Sequence, residues 1–318
     1  MESHHIIPPT TTINLRDIQP SEYVLSKGLK DAVQVALALE QPLLITGEPG
    51  TGKTRLAHRV AHDLHRADAA YLPEPLSYTT QTTSAAQDLF YFYDALSHFH
   101  DANLRKTDGT AAPDVKQYIE LRALGKAIAL SDPAASKDFL SAEEQQTPRN
   151  SVVLIDEIDK APRDFPNNLL NQLEQYEFRI SEANNHRLKI GQGRRILVIL
   201  TSNSEKTLPE AFLRRCVFYH IPFPDEDQLM KIVKARLGGD SPYAHADLIE
   251  HFSELREKIN RKKPATAELI AWLKVLELHT FLDEQLDLNK LTPKQKETLA
   301  LSYSVLAKTR EDLKALLA

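Results

Sequence analysis

The sequence holds a single cysteine, Cys216, so no disulfide can form within the chain, and that scarcity points to a reducing, cytoplasmic setting. It also lacks a basic surplus: 39 Lys and Arg stand against 44 Asp and Glu, a formal charge of −5. A protein whose main work is coating DNA or RNA needs the opposite balance, because its cations must neutralise many phosphates. A small local basic patch is not excluded. No long apolar run occurs. The longest, "ILVIL" and "SVVLID", fall far short of the roughly 20 residues of a membrane span. The start, "MESHHIIPPTTTINL", has no basic stretch followed by an apolar one, so no signal peptide is expected. There is no internal repeat and no long low-complexity tract. What remains is 318 residues, 42% hydrophobic and 26% charged, enough for two domains with a sizeable core.

Residues 1 to 20 are rich in Pro and Thr and are expected to be extended. "SKGLKDAVQVALALEQ" reads as a helix with Leu29, Val33, Ala36 and Leu37 on one face. "PLLITG", "SVVLID" and "RILVIL" are short continuous apolar runs, the pattern of strands buried on both faces of a parallel sheet. "CVFYHIPF" reads as a last strand, and "KTRLAHRVAHDLHRA" and "FPNNLLNQLEQ" as helices. "FRISEANNHRLKI" reads as a β-hairpin over about 178–191, with "EANNH" at its turn. Between about 80 and 131 the chain reads as a helical insertion. It has an aromatic helix "AAQDLFYFYDALSHFHDA", a polar break "NLRKTDGTAAPD" and a second helix "VKQYIELRALGKAIAL". Strands alternating with helices imply an α/β fold, a parallel sheet covered on both faces. Beyond Pro222 and Pro224 only helices are expected, "EDQLMKIVKARL", "HADLIEHFSELREKI", "TAELIAWLKVLELHTFL" and "PKQKETLALSYSVLAK". The prolines therefore divide a core at 21–222 from an all-helical domain at 223–318.

"GEPGTGKT", Gly47 to Thr54, matches the phosphate-binding pattern G-x-x-x-x-G-K-[ST] in full, with a strand before it and a helix after it. Its glycines let backbone N–H groups close around phosphates, and the following helix start adds a favourable dipole. Glu48, Pro49, Gly50, Thr51, Gly52, Lys53 and Thr54, with Arg55 after them, are the expected nucleotide contacts. Lys53 would reach the β- and γ-phosphates and the Thr54 hydroxyl would hold Mg²⁺. "SVVLIDEID" ends a buried strand in adjacent carboxylates, which puts them at the carboxyl edge of the sheet, where such folds bind ligands. Asp156 would orient Mg²⁺, and Glu157 would polarise the attacking water as general base. Asp159 is read as a cap of the next turn. Asn203 ends the third strand in "ILTSN", where a neutral polar group can hold that water. An Asn in a plain turn is the bland alternative.

The order phosphate loop, "LIDEI", strand-"TSN", "LPEAFLRR", helical lid resembles that of AAA+ ATPases. "VVLIDEIDKAP" and "LPEAFLRR", with the insertion before the carboxylate strand, resemble the MoxR branch of that superfamily. The resemblance covers roughly residues 20 to 280. It implies a P-loop αβα sandwich with a helical lid, hydrolysing ATP with Mg²⁺. It also implies a ring of copies, taken as a hexamer, that remodels a client protein complex with a partner carrying a von Willebrand factor A domain. It gives Arg215 the role of an arginine finger reaching a neighbour's ATP, with a surface salt bridge as the bland alternative. Arg214 stands where another residue, often an acid, is usual. It is an extra cation for the same phosphates or the neighbour's surface. By analogy Tyr23 and Val24 in "PSEYVL" belong to the adenine pocket. The lid departs from the pattern: in "RKKPATAEL" Ala265 follows Pro264 where an arginine is usual. Arg261, Lys262 and Lys263 all stand as substitutes.

Three further signals have competing readings. His58, His62 and His65 share a helix face, a spacing that metals can use. That face lies opposite Leu56, Val60 and Leu64 and is expected to be exposed. Leu89, Phe92, Leu96 and Phe99 form a stripe expected to pack, leaving Phe90, Tyr91 and Tyr93 for a neighbour or client. Arg187, Lys189, Arg194 and Arg195 near the hairpin are a solvated turn or a basic loop touching an acidic client or nucleic acid. A nucleic-acid-associated or defence-system NTPase motor is therefore the second functional reading. Trp272 is expected in the lid core.

Overall fold

The computed structural model describes residues 19–107, 111–204, 208–259, 261–282, 288 and 290–317. The expected extended segment lies almost wholly outside them. Contacts divide the described residues into two units, those of Leu25–Pro222, and those of Phe223–Ala318 together with the few before Leu25.

The first unit runs α1 (Lys27–Leu39), β1 (Leu43–Gly47), α2 (Lys53–Ala67) and β2 (Leu76–Thr79), then β3 (Tyr91–Tyr93), α3 (Ala95–Thr107), β4 (Ile119–Leu121) and α4 (Ala123–Ser131). It continues with β5 (Ser151–Asp156), α5 (Phe165–Gln175), β6 (Glu177–Ile180), β7 (His186–Lys189), β8 (Ile196–Ser202), α6 (Glu210–Leu213) and β9 (Val217–Ile221). Five strands make one parallel sheet in the order β2-β5-β8-β1-β9. All seven residues of β8 and all five of β1 are buried, as their unbroken apolar sequence requires. Leu44, Val153, Ile155, Val198 and Leu200 join one large core with residues of α4 and α5. The alternate residues Leu43, Ile45, Leu154 and Ile199 are equally buried, and α1 and α2 pack against these strands. The fold is the expected α/β sandwich. Strand β2 was not foreseen, because "LSYT" alternates half-buried and exposed positions at the sheet's edge.

The hairpin forms as β6 and β7, with Glu177 opposite Lys189 and Ile180 opposite His186. The insertion is not the pair of helices its sequence suggests. Phe90 to Tyr93, read as the middle of an aromatic helix, leave a short helical turn and enter β3. Ile119 to Leu121, read as the middle of the second helix, form β4, antiparallel to β3. Tertiary packing overrides the helical spacing here. Phe90 and Tyr91 are 1% and 3% exposed and meet the Phe178 ring at 5.0 and 6.2 Å. Helix α4 presses so closely on this segment that a Cβ at Gly125 would lie 1.9 Å from the Phe90 carbonyl oxygen. Only glycine permits that approach. The expected packing stripe is therefore reversed. Leu89 is buried, but Phe92, Leu96 and Phe99 are 50%, 83% and 69% exposed.

The second unit contains α7 (Glu226–Leu237), α8 (Ala246–Lys258), α9 (Thr266–Leu278), α10 (Pro293–Leu306) and a short α11 (Arg310–Leu317) that the sequence reading missed. Asp225 caps α7 by accepting the Gln228 N–H at 2.8 Å, and Thr292 caps α10. Leu229, Phe252, Leu273 and Leu306 pack around Trp272, which is fully buried and donates its indole N–H to Ser302 Oγ at 2.8 Å. No helix among the described residues is long and apolar enough to cross a membrane.

Candidate nucleotide site

The site is built where β1, β5 and β8 end side by side. Strand β1 gives way at Gly47 to the glycine loop, and α2 starts at Lys53. Gly52, the N-cap, has φ +88°, a left-handed conformation that a side chain would resist. The loop curls over the Lys53 ammonium, which donates to Gly47 O at 2.8 Å, Glu48 O at 2.9 Å and Asn203 Oδ1 at 3.0 Å. Burial lowers the Lys53 pKa. Asp159 first, then Asp156, Glu157 and Glu48 pull it back. A buried cation kept charged by a ring of acids is suited to receive phosphate oxygens in exchange for carbonyls. The Thr51 hydroxyl ties the loop to itself through Glu48 O at 2.8 Å. Arg55 follows in the first turn of α2.

The Thr54 hydroxyl faces both Asp156 oxygens at 3.1 Å. Two hard oxygen donors converging at the end of the glycine loop fit a Mg²⁺ ion, whose bound charge would offset that of the phosphates. Glu157 stands next to Asp156 with backbone φ 58°, ψ 45°, left-handed for a residue with a side chain. Its side chain is directed to Lys160 Nζ at 2.6 Å. The Asn203 backbone N–H donates to Asp159 Oδ1 at 3.3 Å, so Asp159 braces the end of β8. Three of the segments named from the sequence, the glycine loop, the acidic end of β5 and Asn203 after β8, thus converge.

Thr201 was missed. Its hydroxyl donates to Asp156 Oδ1 and accepts the Glu157 N–H at 3.0 Å, and the residue is 1% exposed. One side chain therefore fixes both the metal-facing carboxylate and the strained residue after it. The signal was a hydroxyl inside an otherwise apolar strand, on the same side as Asn203 two residues on.

Arg215 lies elsewhere. Its Nε donates to Glu174 Oε1 at 2.7 Å and one terminal nitrogen to Ala211 O at 3.1 Å. Strand β9 runs parallel to β1, with Val217 beside Leu43 and Ile221 beside Gly47. Arg215 precedes β9, whereas the glycine loop follows β1. The arginine thus stands at the opposite edge of the sheet, roughly 16 Å along the strand from its own loop. Arg214 pairs with Glu210 and is 75% exposed on its side chain. Burial pushes the neighbouring Cys216 thiol up to about 12, which leaves it unreactive. On Arg215's edge a cleft of about 830 Å³ opens before β8, lined by Glu40, Glu174, Arg187, Lys189, Arg194 and Arg195 among others. Arg187 pairs with Glu177.

Residues 43–224 match the model of the "ATPase family associated with various cellular activities (AAA)". The chain belongs to the AAA family. That family assignment carries ATP binding and hydrolysis as the general activity of this domain. Among solved structures, a RuvB mutant of Thermotoga maritima is 15% identical, over 92% of this chain and 73% of that one, with a TM-score of 0.49. The AAA domain of FIGL-1 in complex with ADP is 17% identical, over 96% and 90%, with a TM-score of 0.47. A katanin structure titled for self-assembly is 15% identical, over 96% and 85%, with a TM-score of 0.40. These likenesses say nothing of function. No curated relative matches.

Tyr23 and Val24 group with the helical unit, where Tyr23 ends a short helical turn and Val24 is 37% exposed. In the lid, Arg261 pairs with Glu311 at 3.1 Å and Lys263 with Glu257 at 2.8 Å. The three α2 histidines are half-buried, not solvent-facing. His65 Nδ1 meets Tyr71 O at 2.7 Å, and burial, then Arg55, lowers the His58 pKa. Among the described residues no cluster of metal-binding side chains occurs.

Proposed function

We propose that the chain is a Mg²⁺-dependent ATPase that works as a head-to-tail ring of copies, in which each copy's Arg215 completes the ATP site of the next. The observation that carries this reading is the position of Arg215 at the sheet edge opposite its own glycine loop. A copy cannot bring that arginine to its own phosphates across a buried sheet, but a head-to-tail neighbour can. Lys53 and the loop N–H groups hold the phosphates, and Thr54 and Asp156 hold Mg²⁺. Glu157 takes a proton from a water positioned by Asn203. The water oxygen bonds to the γ-phosphorus, and the bond to the β–γ bridging oxygen breaks to leave ADP and phosphate. Arg215 from the neighbour, with Arg214 beside it, offsets charge on the transferring group. Tyr23 and Val24 are proposed contacts of the adenine.

The motifs "DEIDKAP" and "LPEAFLRR" support a MoxR-type role: a hexamer that remodels a client protein complex with a von Willebrand factor A partner. The nucleic-acid reading has the cations Lys189, Arg194 and Arg195 in its favour. The carboxylates of Glu40, Glu174 and Glu177 in the same cleft weigh against it. DNA or RNA that stimulates hydrolysis in a steeply salt-dependent way would reverse that preference.

The deciding experiment mixes two inactive variants, Arg215→Ala and Glu157→Gln. In a shared site, interfaces that pair an intact arginine with an intact glutamate regain activity, and wild-type rate per subunit rises with concentration. A flat concentration dependence with a fully active Arg215→Ala would leave a monomeric nucleotide switch.

A further inference from the structure

Lys160 has no part in the reaction above, yet its ammonium sits on the group that reaction needs free. Its Nζ lies 2.6 Å from Glu157 Oε2. Both residues belong to one turn. The Lys160 N–H donates to Glu157 O at 2.9 Å and closes the helical turn Ile158–Lys160. Ile158 is 1% exposed and pins that turn to the core. Glu157 is fixed at its other end by its own N–H on Thr201. The two side chains therefore leave a rigid support at set positions. Attraction from Asp159 and Asp156 also keeps Lys160 at this acidic edge.

An ammonium on one carboxylate oxygen favours the ionised form and fixes the direction of the group, so the carboxylate takes a proton from water less readily. We infer that Lys160 is a positioning residue that holds the Glu157 carboxylate off the attacking water in the resting chain. The inference rests on Glu157 being the general base. Lys160 touches no reacting atom and acts only through Glu157. Hydrolysis is then faster once Lys160 gives up Oε2, and removing the cation removes that step.

The test uses the full chain with saturating ATP and Mg²⁺. Lys160→Met keeps the side chain's length without its charge, and Lys160→Arg keeps a cation. The expected result is a kcat raised about two- to fivefold in Lys160→Met, the range an exposed ion pair can withhold. KM for ATP stays unchanged and Lys160→Arg remains near wild type. In a Glu157→Gln background the same change has no effect, because no carboxylate is left to release. A kcat for Lys160→Met equal to or below wild type overturns the inference. If Glu157→Gln alone is as active as wild type, the general-base reading falls and takes the latch with it. An inactive Glu157→Gln with no gain from Lys160→Met removes the latch alone. Should Lys160→Met melt below the assay temperature, Lys160→Gln carries the same comparison.

Discussion

The nucleotide site and the β3–α3–β4 insertion belong to the same compact unit but are built on opposite terms. At the site the main polar groups are held by several partners each or by a buried one: the Lys53 ammonium by two carbonyls and Asn203, and the Asp156 carboxylate and the Glu157 backbone N–H by the buried Thr201. In the insertion, α3 has no buried residue and is fastened by a polar clasp. Tyr93 OH and His98 Nδ1 are 2.6 Å apart, the His98 ring stacks on Tyr118 at 4.7 Å, and Tyr118 OH donates to Asp101 Oδ2 at 2.7 Å. Chemistry needs groups fixed to within fractions of an ångström, and burial supplies that. A helix held by a few half-buried polar contacts with its apolar residues outward contributes little to the core.

The contrast predicts its largest effect at Lys53. Lys53→Ala removes the cation the loop closes on, and phosphate release is expected to fall at least about a hundredfold, since such groups act on charge in a water-poor site. Thr201→Val comes next. It keeps the shape but strips the hydroxyl from Asp156 and Glu157, and kcat is expected to drop about ten- to hundredfold, as loss of a buried bond to a charged group would give. KM for ATP should change little, and Thr201→Ser should restore most of the rate. A Thr201→Val enzyme with normal kcat would mean that the backbone alone positions both carboxylates.

The same contrast explains what the sequence revealed. "GEPGTGKT" and "SVVLIDEID" were legible because a phosphate cradle and a strand ending in acids tolerate few alternatives, and their spacing is local. Thr201 was hidden because its role depends on register: β8 lies beside β5, with Leu200 opposite Ile155, which brings the next residue to Asp156. No local pattern states that neighbour. The insertion was misread for the converse reason. Leu89, Phe92, Leu96 and Phe99 have helical spacing, but Phe90 and Tyr91 find a non-local partner in Phe178, and that contact decides the backbone. Arg215 was named from a motif, whereas its edge of the sheet could be known only once β9 was seen to run parallel to β1.

Smaller effects belong to the insertion. Tyr118→Phe removes the hydrogen bond to Asp101 and leaves the ring on His98. Amide exchange across Ala95–Thr107 should quicken, while the ATPase rate of the purified chain stays within about twofold, because no side chain of the clasp reaches the site. Slowed hydrolysis in this variant would show that the insertion and the site are coupled.

The smallest effect is expected from Leu96→Ser with Phe99→Ser, and it sharpens the comparison most. A conventional reading of two large apolar residues on a helix predicts a loss of several kcal/mol on truncation, as in a core. Here their exposures of 83% and 69% leave almost nothing to lose. The double variant should unfold within about 0.5 kcal/mol of wild type in urea, the range of ordinary surface changes. Its ATPase rate should be unchanged. A marked destabilisation would mean that α3 turns inward in solution and that the helical stripe read from the sequence packs after all.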